Sequence, residues 1–248
     1  MKKISFLCIL FLISDIAFSQ KNNTQVTYKA EYLVSEMQDK INEQSLEAKE
    51  YINKYIENFS KIETVLIYNN KECLFKSVEK LDINEDMFYK LCLVAVTDNK
   101  IRYKNKQENK SIVQVSLLDE TYIYEDLYNK HSWEILKDTA TISGFKCIKA
   151  KTKRMTKPMP GLSITPKEVE IYAWFTPDIA SSFGPCGFDN LPGLVLSVTF
   201  GNVHVYATEI KSIKDFKIYE PTEGVFLKNE DELIAIGLKH MKKLQDID

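Results

Sequence analysis

The sequence predicts an α+β protein: one large, mostly antiparallel β-sheet, curved in the manner of a half-barrel, with a helix in the N-terminal region and another at the C-terminus. Three observations carry this expectation. Apolar residues alternate with polar ones along several segments, which is the period of a half-buried strand. Two-residue turn signals stand between apolar runs, as in β-hairpins. Finally, 13 Tyr and 13 Phe against only 8 Gly suit a pleated surface, on which aromatic side chains pack well.

The first strand falls at 24–35, where Val26, Tyr28, Ala30, Tyr32 and Val34 share one face and Thr27, Lys29 and Glu31 the other. Over 36–59 the period changes. Ile41, Ile52, Tyr55, Ile56 and Phe59 recur at helical spacing among Glu, Lys and Asn, the pattern of an amphipathic helix laid on a sheet. Asn69-Asn70, Asp98-Asn99 and Gly201-Asn202 then mark tight turns, since Asn, Asp and Gly tolerate the positive φ that two-residue hairpins need. They predict strand pairs 62–68 with 71–78, 89–97 with 100–104, and 194–200 with 203–210. Further strands are expected at 111–118, 121–127, 142–151 and 169–175. Asn229 with Glu232 resembles a capping box, and Leu233, Ile236, Met241 and Leu244 form an apolar stripe, so a helix should run over about 230–245.

The N-terminus reads as an export leader. Lys2 and Lys3 precede an apolar run from Ile4 to Ile13 broken only by Ser5, and Ala17-Phe18-Ser19 places small residues at a cleavage site before Gln20. The apolar run is about half the length needed to span a bilayer. The expected organisation is therefore a signal peptide, 1–19, and a single domain, 20–248, exported to the periplasm or beyond and not membrane-spanning. The chain has 33 Lys and Arg against 35 Asp and Glu. A leader bearing Lys2, Lys3 and Asp15 shifts its net charge only from −2 to −3, which excludes a global attraction for nucleic acid. Beyond the leader stand Cys73, Cys92, Cys147 and Cys186. Four cysteines allow three pairings that sequence cannot separate; Cys147 with Cys186 is the pair favoured here, and four buried thiols are the alternative. No CxxC and no His near these cysteines suggests a metal site.

From Trp133 a recognisable succession begins: Trp133-Glu134-Ile135, then Ile142-Ser143-Gly144-Phe145-Lys146-Cys147, then Ala173-Trp174-Phe175-Thr176-Pro177, then Gly184-Pro185 leading to Asn190-Leu191-Pro192-Gly193-Leu194-Val195. Over residues 130–200 the chain resembles the GLPGLI family, exported proteins of Bacteroidota with no established molecular function. Asn190 stands for the first Gly of the motif and Val195 for its final Ile. Physically the motif reads as a corner delivering a core strand, with Pro192 and Gly193 as the centre of a type II turn. The loop of Gly184, Pro185, Asn190, Leu191, Pro192, Gly193 and Leu194 is the candidate contact surface.

No catalytic residues are assigned, and no cofactor or metal is expected. The one nucleophilic assembly that can be drawn joins Cys186, His204 and Asp189 or Asp178; His131, His204 and His240 fit no metal-ligand spacing. The expectation is thus a non-enzymatic binding or carrier module of the cell envelope, holding an apolar or lipid ligand. The alternatives are a partner of an outer-membrane protein complex and, last, a Cys-His hydrolase.

Overall fold

A computed structural model describes residues 22–35, 38–80, 86–156, 167–214 and 216–245. The leader, 1–19, lies outside the described residues, as do residues 157–166. The strands are β1 (Asn23–Tyr32), β2 (Glu63–Tyr68), β3 (Glu72–Ser77), β4 (Lys100–Asn105), β5 (Lys110–Leu117), β6 (Glu120–Glu125), β7 (Glu134–Ile142), β8 (Phe145–Met155), β9 (Glu168–Thr176), β10 (Leu194–Phe200), β11 (Val203–Ile213) and β12 (Val225–Leu227). The helices are α1 (Gln38–Asn42), α2 (Leu46–Phe59), α3 (Met87–Thr97) and α4 (Glu230–Gln245).

All twelve strands form one sheet in the order β12-β6-β5-β4-β3-β2-β1-β11-β10-β9-β8-β7. Every pairing is antiparallel except that of β12 with β6. The predicted α+β class therefore holds, with a helix near each end of the chain. Three local readings are corrected. The run 89–97 is helix α3, not a strand: Asp86 caps it by accepting from the Phe88 and Tyr89 amides, and Asp98 at φ 54° ends it. The apolar run 91–96 is short enough to fit a buried helix as well as a strand, and the cap decides. The expected strand 142–151 is two strands, because Ser143 and Gly144 both take positive φ and turn the chain between β7 and β8. The 36–59 helix is likewise divided, with Ser45 accepting from the Ala48 amide to start α2.

The sheet's inner face carries the main core. Val26, Tyr28 and Ala30 of β1 meet Val205 of β11, Ala173 of β9, Phe59 of α2, Tyr89 and Cys92 of α3, and Phe183 and Phe188 of the β9–β10 connection. On the outer face, Val65, Ile67, Leu74, Tyr103 and Ile112 are covered by Ile218, with Phe216 packed alongside, from the segment after β11. Arg154 of β8 and Val113 of β5 line one cavity, although their strands stand near opposite ends of the order. The sheet thus curls toward itself, and its inner face becomes a bowl. No described helix is long and apolar enough to cross a membrane.

Candidate functional site

The bowl holds a cavity of about 450 Å³, a volume in the range of small-ligand sites. Its floor is β4. Lys100, Arg102 and Lys104 alternate with Ile101 and Tyr103, and the cations point inward because the apolar pair joins the outer cluster under Ile218. Such alternation ordinarily marks cations facing solvent; here the outer strap, which covers Ile101 and Tyr103, reverses it.

Each floor cation meets an acid from a different wall. Lys100 Nζ lies 2.6 Å from Glu230 Oε1 at the start of α4, Arg102 Nη2 3.0 Å from Asp98 Oδ2 at the end of α3, and Lys104 Nζ 2.6 Å from Asp189 Oδ2. Lys130 Nζ reaches Asp126 Oδ2 at 2.8 Å. The Asp189 carboxyl is the unusual member. The residue is 3% exposed, and its Oδ1 has no hydrogen-bond partner. Burial first of all, opposed by Lys104 and Arg102, raises its pKa to about 6. Beside it, His131 is pushed down to about 4 by burial and by Lys130, Arg154 and Lys104, so its ring is neutral at pH 7.

The loop holding Asp189 is fixed by its neighbours. Trp133 Nε1 donates to the Asp189 carbonyl oxygen at 2.8 Å, and Asn190 Nδ2 to the Tyr128 carbonyl oxygen at 3.0 Å. Pro185–Gly187 form one 3₁₀ turn, with Cys186 at φ 57°. Gly187 passes so close to Arg102 that a Cβ there would sit 3.1 Å from Nε. The predicted type II turn at Pro192-Gly193 is corrected. Gly193 N donates to the Leu191 carbonyl oxygen at 2.8 Å, a three-residue turn about Pro192, and the positive φ falls on Asn190 at 66°. Gly193 is needed instead for space, since a Cβ would lie 2.2 Å from the Thr176 carbonyl oxygen. Of the predicted contact residues, Gly184 lines the cavity, while Leu191 and Leu194 are core.

The Cys-His assembly does not form. Cys186 is buried on the inner side, where burial lifts its thiol to about 12, far from the thiolate that attack requires. His204 stands on the outer face, its Nε2 2.7 Å from Ser197 Oγ and its Nδ1 2.7 Å from Glu31 Oε1. Ser197 is 1% exposed, which leaves a carbonyl carbon no approach to its hydroxyl. Cys73, Cys92, Cys147 and Cys186 are all buried free thiols; Cys147 turns its Sγ toward the Phe145 carbonyl oxygen within β8, and the pairing with Cys186 is not made. Among the described residues no group of three His, Cys, Asp or Glu gathers as metal ligands.

A family described as the N-glycanase peptide N-terminal domain matches residues 48–235. The chain belongs to that family. Two solved structures of PNGF-II share its fold. One, in space group C2, has a TM-score of 0.52 at 16% identity over 89% of this chain; the other, in P21, has 0.53 at 15% over 87%. The chain spans about a third of PNGF-II, 32% and 34% in the two cases. Comparison with curated protein sequences finds no match.

Membership in the N-glycanase N-terminal domain family corrects the GLPGLI resemblance, whose residues 130–200 lie wholly inside the matched segment. It also overturns the non-enzymatic carrier and the absence of enzyme chemistry, because the family is named for an N-glycanase. The cavity is bordered by the charged pairs of its floor and by apolar walls that include Phe75, Val113, Val115, Leu233 and Ile234.

Proposed function

We propose that this chain is an N-glycan-processing enzyme domain, exported with its leader removed near Ser19–Gln20 and acting as one unit over 20–248. In this reading the bowl seats part of an N-linked glycan. Asp189 serves as general base through its free Oδ1, and the Gly184–Leu194 loop forms the wall that presents it. The observation that carries the reading is the Asp189 carboxyl itself. One oxygen is held by Lys104, the other is unpaired, and both belong to a buried group bordering a cavity.

A carboxyl with a pKa near 6 is mostly ionised at pH 7 and still basic enough to take a proton from a water or hydroxyl group in the cavity. Lys104, on the opposite oxygen, orients the group and stabilises its charged form. The surrounding carboxylates and ammonium groups offer the acceptors and donors that a hydroxyl-rich saccharide requires.

The test is release of glycan from an N-glycosylated peptide by the full chain, followed by chromatography. Release is expected, rising with pH through about 6. Asp189→Asn should lower it roughly 100-fold or more with an unchanged circular dichroism spectrum. No release by the native chain overturns the proposal.

A further inference from the structure

We infer that the cavity selects glycans bearing an anionic substituent, a carboxylate or a sulfate, through the guanidinium of Arg154. This inference rests on the glycan reading and names the substrate class of the same site.

The argument is one of unmatched charge. Lys100, Arg102, Lys104 and Lys130 each have a carboxylate within hydrogen-bond distance or close to it. Arg154 has none among the described residues. Its guanidinium carbon lies over the Phe188 ring, 5.5 Å from the ring centre, a cation–π contact that takes up none of its N–H donors. Asp98 is near enough to sense Arg154, but its carboxylate is already bound by Arg102 and Lys100. Arg154 reaches the cavity from β8, pairing with Val169 of β9 on the side of the sheet that carries Thr152 and Ala150 inward.

A guanidinium held over an aromatic face with no carboxylate partner among the described residues can offer two parallel hydrogen bonds to a planar or tetrahedral oxyanion. The local field agrees: Lys130, Arg154 and Lys104 all disfavour a proton on His131, so the same cations favour a negative group beside it. At the other wall the unpaired Asp189 Oδ1 requires a donor, and a sugar hydroxyl supplies one. The two unsatisfied groups are complementary in sign, and an acidic sugar satisfies both. A neutral sugar leaves Arg154 unpaired, and a bare anion leaves Asp189 unpaired.

The experiment compares three N-glycopeptides binding to the full chain by calorimetry at pH 7 and low salt: one ending in a carboxylate-bearing sugar, the same with that carboxylate reduced to an alcohol, and one sulfated at that position. The carboxylate form should bind at least about tenfold more tightly than the reduced form, and the preference should shrink as salt is raised. Arg154→Gln should abolish the preference while leaving the reduced form's affinity unchanged. Equal binding of the sulfated form shows that the site reads charge, and weaker binding that it reads the planar carboxylate; both uphold the inference. Equal affinity for the carboxylate and reduced forms overturns it and leaves the glycan reading standing. Binding of none of the three overturns both. The comparison among ligands uses the native chain and does not depend on the variant folding.

Discussion

The hydroxyl of Tyr28 donates to the carbonyl oxygen of Val195 at 2.7 Å, and in doing so it ties β1 to β10 across the intervening strand β11. The bond is made where β10 departs from regular register with β9, between Val195 and Ser197. Tyr28 is fully buried. Tyr28→Phe keeps the ring and strands the carbonyl, so it should lower unfolding free energy by about 1–3 kcal/mol. Chemical denaturation should show the loss as a lower midpoint with an unchanged slope.

Asp189 makes stability depend on pH in an unusual direction. Its folded pKa of about 6 lies above the ordinary 3.8, so between these values the folded state holds the proton more firmly than the unfolded chain. That stabilisation is present below pH 4 and is lost as pH rises through 6, about 3 kcal/mol in all. Asp189→Asn removes the dependence. Its stability relative to the native chain should therefore increase from pH 4 to pH 7, measured by thermal melts across that range.

His131 acts over the same window with the opposite sign. Its folded pKa of about 4 lies below the ordinary 6.5, so the unfolded chain takes up the proton first and stability falls as pH drops from 6.5 toward 4. His131→Asn should gain relative stability on acidification. The native profile between pH 4 and 6 should look flat because two opposed contributions offset each other, and each variant should uncover the slope of the group that remains.

Gly193 and Gly184 are required for close approach. A Cβ at Gly193 would meet the Thr176 carbonyl oxygen at 2.2 Å, and one at Gly184 the Phe188 carbonyl oxygen at 2.0 Å. Both obstacles are backbone, which cannot swing aside as a side chain can. Gly193→Ala and Gly184→Ala should each cost about 3 kcal/mol or more, seen as a large fall in melting temperature or in soluble yield. Gly201→Ala serves as the control, since nothing lies within 4 Å of its Cβ position; with φ at 58° it should lose only about 1 kcal/mol.

The four thiols should be silent toward an aqueous thiol reagent in the native state. All are buried, and burial raises the pKa of Cys92 and Cys186 to about 12. Full reaction is expected only in denaturant, and rapid reaction of any one of them at pH 8 would contradict the packing described above.

Much of the sheet was legible because burial acts directly on sequence period. The alternation at Val26, Tyr28 and Ala30, the turns at Asn69-Asn70 and Gly201-Asn202, and the capped start of α4 all stand in the structure. Helix α3 was not legible: the short apolar run 91–96 fits either period, and its helical signal lay in the cap at Asp86. β12 is three residues long and owes its place to its partner β6, so no local pattern announces it. The site was hidden for a different reason. Lys100, Arg102 and Lys104 alternate as an exposed face would, and only the covering of Ile101 and Tyr103 by a segment more than a hundred residues later turns them inward. Asp189 was noticed only as a companion to Cys186, because a carboxyl's burial cannot be seen in its neighbours along the chain.

The pairing of β1 with β11 sets Thr27 opposite Glu209 and puts the earliest described strand in the middle of the sheet, between β2 and β11. Trimming the described chain from its front would therefore not shave an edge. It would cut the sheet along a central seam, parting the half that bears the cationic floor from the half that bears Arg154, and the bowl would lose its opposing walls before it lost any residue that lines them.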